Sequence, residues 1–191
     1  MCQSRPNDDS VTKISEHDSS DLKFGFKIFL TNEDPVLLID SIEKTLITLN
    51  VASVSNVIIA FGEKKNDVSE IKSVWTALED YVLQNKISKI GIADLEEEPF
   101  RALYDWATVK PSIIQINLST CCVVSPTLQA FCKDNEIQLL THSDPTDILP
   151  KSSLDIVLGK EFLLKWVVRF LVHIKCRGVL TTKGYLLSLG K

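Results

Sequence analysis

Apolar residues recur along this chain in short runs that alternate with longer stretches carrying apolar positions at helical spacing. Residues 26–31 (FKIFLT) have strand composition, and Asn32 to Pro35 supplies a turn and a helix start. Leu38, Ile39, Ile42, Leu46 and Leu49 then mark one face of a helix over residues 36–49. A continuous apolar run at residues 56–61 predicts a strand covered on both faces. Asp67 with Glu70 resembles a capping box, and it opens a helix striped by Ile71, Val74, Trp75, Leu78 and Val82.

The alternation continues. Strands are predicted at residues 89–93, 113–118 and 137–141. Between them, Asp94 with Glu97 starts a helix that turns Phe100, Leu103, Tyr104 and Ala107 inward, and Pro111 closes it. Ser125-Pro126 caps another helix, which carries Leu128, Phe131 and Cys132. Residues 144–160 give no clear pattern. Residues 162–174 read as an apolar helix and residues 178–182 as a sixth strand, followed by a tail whose Tyr185, Leu186, Leu187 and Leu189 are positioned to pack on the body. Residues 1–23 are rich in Ser, Asp and Lys without apolar period, and are expected to form a disordered or loosely attached tail ahead of a domain spanning 24–191.

Strands alternating with helices imply an α/β fold with a parallel sheet and right-handed crossovers, either a doubly wound open sheet or most of a (βα)8 barrel. Neither GxGxxG nor GxxxxGK[ST] follows any strand, which weakens a nucleotide-binding open sheet.

At 191 residues with 45% apolar and 24% charged content, one soluble globular domain is expected. A net charge of −4 without clustered Lys and Arg argues against nucleic acid as a partner. No apolar run suits a signal peptide or a membrane span, so a cytoplasmic protein is expected. Five cysteines at irregular spacing match neither a disulfide framework nor a zinc site, and no metal site is expected.

Residues 79–122 (EDYVLQNKISKIGIADLEEEPFRALYDWATVKPSIIQINLSTCC) and 128–145 (LQAFCKDNEIQLLTHSDP) resemble the aldo-keto reductase pattern. Within that family they are most similar to its catalytically silent branch, the regulatory subunits of glutamate-cysteine ligase. Residues 41–61 and the C-terminal RGVLTTKGY extend the likeness over roughly 24–191. The resemblance implies a (βα)8 TIM barrel whose third to eighth strands lie in this chain, with no counterpart for the first two. The reductases use a Tyr proton donor tuned by Lys and Asp, a His, and a nicotinamide cofactor. At the matching positions this sequence holds Asn32 for the Lys, Ala60 or its neighbour for the His, Ala93-Asp94 for a Ser-Asn pair, His142 for a stacking aromatic and Lys183-Gly184 for a phosphate-gripping Lys-Ser. Gln115 is retained. Gln115, His142 and Lys183 would thus form a vestigial cofactor pocket, with no catalytic residues and no cofactor, because no tuned acid remains to protonate a carbonyl.

The implied function is binding and activation of the catalytic subunit of glutamate-cysteine ligase in glutathione biosynthesis, as a heterodimer. The alternatives are an NADPH-dependent reductase with a shifted active site and a truncated barrel fragment, whose missing strands would leave two open sheet edges. Cys121 and Cys122, after a strand end, are candidate partner thiols, against the plainer reading of two small loop residues. His142 reads more readily as a hydrogen-bonded pocket-rim residue than as a metal ligand. The acidic run at 94–98 fits a helix start better than a docking patch, and Trp75, Trp106 and Trp166 fit amphipathic helix faces. Trp166, Phe170 and Tyr185 would mark a partner surface if exposed together.

Overall fold

A computed structural model of the chain describes residues 9–62, 65, 67–119, 123–158 and 161–190. Five βα repeats lead the fold: β1 (Leu22–Leu30), α2 (Pro35–Leu49), β2 (Val54–Phe61), α3 (Lys72–Leu83), β3 (Ile87–Ala93), α4 (Glu97–Trp106), β4 (Ile113–Asn117), α5 (Pro126–Asp134), β5 (Gln138–His142) and α6 (Lys151–Leu158). A short α1 (Ser10–Ser15) precedes them, and β6 (Leu163–Ile174) and β7 (Val179–Gly190) follow. The starts of α2 and α5 obey local chemistry. Asp34 caps α2 by accepting from the Val36 amide ahead of Pro35, and Ser125 caps α5 by accepting from the Leu128 amide ahead of Pro126.

The strands form one sheet in the order β5-β4-β3-β2-β1-β6-β7. Neighbours from β1 to β5 are parallel, whereas β6 is antiparallel to β1 and β7 antiparallel to β6. One face carries the main core: Phe26, Ile28, Val57, Ile59, Ile90, Ile92 and Ile114 pack in one cluster with Leu38, Ile42, Trp75, Leu78, Phe100 and Leu103 of the helices. The opposite face carries a smaller cluster of Ile58, Ala60, Ala93 and Ile113, joined by Phe29 and Leu140. Gly91 belongs to this inner face, where a Cβ would stand 2.5 Å from the Ile113 carbonyl oxygen. Side chains from β1, β6 and the segment after β5 meet across it, which a flat sheet would forbid. Four strand spacings of about 4.8 Å would separate β1 from β5 by roughly 19 Å, yet Lys27 Nζ lies 2.7 Å from Asp144 Oδ2. The parallel strands therefore curl as an arc of a (βα)8 barrel.

Several sequence expectations change. The stretch expected as a helix at 162–174 instead forms strand β6 from Leu163 to Ile174, because Trp166, Val168, Phe170 and Val172 alternate into the core. The expected sixth strand is longer than 178–182, takes in the tail that was to pack on the body, and runs antiparallel, so the sheet is not wholly parallel. The β1 edge that missing strands would have left open is covered by β6, and the ends of the sheet are β5 and β7. Within residues 1–23, α1 buries Ile14 in the core and β1 begins at Leu22. Asp67 caps a short 3-10 turn, Val68–Glu70, ahead of α3. Trp166 and Phe170 are buried and only Tyr185 is exposed, so that trio forms no surface patch. No helix among the described residues is long and apolar enough to cross a membrane.

Candidate functional site

The C-terminal ends of the parallel strands, where barrels carry their chemistry, converge here on a hydrogen-bonded ion network. Asp94, just past β3, adopts a left-handed backbone (φ 59°) that Asp tolerates better than most residues. Its Oδ1 accepts from the Asn117 amide at 2.9 Å and lies 3.0 Å from His142 Nε2. His142 Nδ1 lies 3.1 Å from the Asp144 amide and 3.0 Å from Asp144 Oδ2, so the two ring nitrogens face the carboxylates of Asp94 and Asp144. The histidine side chain is 5% exposed. Asn117 closes the loop: its Nδ2 donates to the Asp144 carbonyl and its Oδ1 accepts from the Ser119 amide and hydroxyl.

Asp144 is the hub. Its carboxylate takes Lys27 Nζ at 2.7 Å and the Arg169 guanidinium on both oxygens. Burial alone would raise the Asp144 pKa, but Arg169 and Lys27 outweigh it and hold the carboxyl below the usual range. Burial pushes the Lys27 ammonium below its ordinary value, with the Asp144 hydrogen bond opposing. For Arg169, burial acts downward and the Asp144 hydrogen bond reverses it, leaving the pKa raised. Such buried pairs are costly to desolvate and more costly to break. Among the described residues no group of His, Cys, Asp and Glu is arranged to hold a metal ion.

Beside the network lies a cavity of about 90 Å³ lined by Phe29, Phe61, Lys65, Ala93, Asp94 and His142, among others. None of the three tyrosines lines it: Tyr81 and Tyr104 sit on α3 and α4, and Tyr185 on β7. Burial, then the Glu43 hydrogen bond, drives the Tyr81 pKa strongly upward, the reverse of an activated phenol. The residues present do not fit a nicotinamide cofactor. Ligand sites run to about 300–1,000 Å³, and the buried His142 ring offers little face for stacking.

Of the residues singled out in the sequence, Gln115 and His142 lie on adjoining strands β4 and β5, while Lys183 is exposed on β7, at the far end of the sheet. The Gln115 side-chain oxygen is buried and has no hydrogen-bond partner. Cys121 and Cys122 lie outside the described residues. The sequence reading missed Lys27, Asn117, Asp144 and Arg169. For Lys27 a signal existed: one lysine inside the apolar run FGFKIFL is a buried cation in need of a partner.

The aldo/keto reductase family model matches residues 33–144. The glutamate–cysteine ligase regulatory subunit of Homo sapiens is 34% identical over 192 residues, covering 94% of this chain and 70% of that protein. Its Rattus norvegicus counterpart is 33% identical with the same coverage. Among solved structures, an aldo-keto reductase of the silkworm Bombyx mori superposes with a TM-score of 0.57 at 20% identity, over 70% of this chain and 43% of that one. A thermostable aldo-keto reductase gives 0.57 at 19%, over 71% and 49%. The chain thus spans under half the length of these solved reductases, which share its fold. With a family model over more than half its length and curated relatives matched across nearly all of it, the chain belongs to the aldo/keto reductase family and, within it, to the glutamate–cysteine ligase regulatory subunits.

Proposed function

We propose that this chain is a non-catalytic regulatory subunit that binds the catalytic subunit of glutamate–cysteine ligase as a heterodimer in the cytoplasm. There it improves the use of glutamate and tempers feedback by glutathione. The observation that carries this reading is the strand-end network itself. Asp94 and His142, at two of the reductase active-site positions, are engaged with each other within that network, and the adjoining cavity has no tyrosine that could serve as proton donor. The names of the relatives support the partner. Regulation would arise from differential affinity for conformations of the catalytic subunit, a coupling free energy with no bond made or broken by this chain.

The test has two arms. Purified chain is expected to capture the catalytic subunit and lower its KM for glutamate, and failure of the folded chain to bind would sink the proposal. NADPH fluorescence titration and aldehyde turnover are expected to be silent; saturable NADPH binding with reduction would restore the enzyme reading.

A further inference from the structure

The two ends of the sheet are unequal. β5, at one end, is 5 residues long, whereas β7, at the other, runs 12 residues from Val179 to Gly190. Among the described residues no strand pairs with the outer rim of β7, so a row of its amides and carbonyls is open to a further strand. α1 lies against β7 on the main-core side, where Thr182 is buried and Leu186 packs on the core. The other face is open. Register sets Lys183, Tyr185 and Leu187 opposite Leu171, Arg169 and Val167, which in turn oppose Gly25, Lys27 and Phe29, so all of these share the concave face of the arc. Tyr185 is 57% exposed and Leu187 45%, and Val179 and Leu180 are exposed where the strand begins. Together they offer apolar surface that folding has not already covered.

Charge selects among the strands that could pair there. The β6–β7 hairpin, residues 163–190, contains Lys165, Arg169, Lys175, Arg177 and Lys183 and neither Asp nor Glu. With these five cations set apart, a net charge of −4 for the whole chain leaves −9 on the remainder. Two of the five have acids beside them: Asp144 takes up Arg169, and the Asp21 carbonyl accepts from the Lys175 amide, which brings Asp21 to the hairpin tip. Lys183, midway along β7, is exposed beside the apolar Leu171 of β6. A second copy pairing through the same edge would bring two such cationic hairpins side by side, which like-charge repulsion opposes. An acidic strand meets the opposite sign.

We propose that the outer edge of β7 takes up an extended segment of a partner protein as an antiparallel strand, with an acidic residue against Lys183 and apolar residues against Tyr185 and Leu187. Backbone hydrogen bonds supply the docking, and the alternate side chains supply the selectivity. The proposal concerns the chemistry of that segment and stands whether or not the segment belongs to the ligase catalytic subunit.

The probe is the peptide Ac-TVTVTETE-NH2, with Ac-TVTVTKTK-NH2 as its charge-reversed match, titrated into the full chain and followed by hydrogen exchange of the β7 amides. The acidic peptide is expected to slow exchange across residues 179–190 saturably, with the lysine peptide at least about tenfold weaker. Prolines at its third and fourth positions remove an inward amide in either register and should abolish the protection. Lys183→Glu should weaken the acidic peptide about fivefold and strengthen the lysine peptide. If that variant does not fold, the two peptides on the wild-type chain still decide the matter. No saturable protection, equal affinity for the two peptides, or undiminished binding of the diproline peptide would each overturn the proposal. So would outward β7 amides that already exchange slowly in the free chain, because a second copy or the chain's own residues 1–8 would then hold the edge.

Discussion

Lys27 and Asp144, 117 positions apart, form an ion pair at 2.7 Å with side chains 4% and 11% exposed, joining the first strand to the segment after the fifth. Asp144 serves two cations, so the pair is asymmetric. Asp144→Asn should cost about 3–5 kcal/mol, because Lys27 and Arg169 are left buried without a counter-charge. Lys27→Met should cost less, since Arg169 still holds the carboxylate. Urea unfolding of both variants checks the order, and equal losses would show that Arg169 does not share the load.

The same carboxylate sets an acid limit. Its folded pKa is held below the usual range, whereas in the unfolded chain it titrates at about 3.9. Its contribution is therefore complete above the unfolded value and is lost as pH falls from there through the folded value. The free energy of unfolding, measured across that window, should decline in the wild-type chain and decline less steeply in Asp144→Asn.

His142 holds the place of a stacking aromatic, but His142→Phe should not restore cofactor binding. The substitution removes a partner from Asp94 Oδ1, which keeps the Asn117 amide. A loss of about 1–3 kcal/mol is expected. Because the adjoining cavity is only about 90 Å³, NADPH titration of the variant should remain flat; a saturable signal would show that the cavity opens further than its static volume.

Gly91 marks the closest approach of β3 to β4. Its absent Cβ would meet both the carbonyl oxygen and the Cβ of Ile113, at 2.5 and 2.6 Å. Neither atom is the free end of a flexible side chain, so Gly91→Ala should destabilise by about 1–3 kcal/mol. Thermal unfolding of the variant measures it, and an unchanged Tm would mean the two strands separate without cost.

Four of the five βα repeats were legible because their helices announce themselves locally: Asp34 and Ser125 cap with proline behind them, and stripes such as Val74, Trp75 and Leu78 end in the core, whereas α6 lies in the stretch 144–160 that shows no clear pattern. The hairpin was not. In LLKWVVRFLVHI the inward residues Trp166, Val168, Phe170 and Val172 do alternate, but Val167 and Leu171 between them are apolar too and hide the period. A twelve-residue apolar run then resembles a helix by length. The candidate site was half visible. Asp94 and His142 sit at strand ends that periodicity locates, whereas Lys27, Asp144 and Arg169 come together only because the sheet curls. No local pattern reports that.

The antiparallel pairing of β6 with β1 has a consequence for how the molecule is made. Leu22 to Leu30 pair with Ile174 to Trp166, partners from opposite ends of the chain. Such non-local contacts repay their loop-closure entropy late and slow folding. During synthesis the five parallel repeats emerge while the outer rim of β1 waits for a strand not yet translated. The nascent chain therefore has a period of exposure, set by the ribosome's pace, in which chaperone capture or pairing with another chain competes with its own last hairpin.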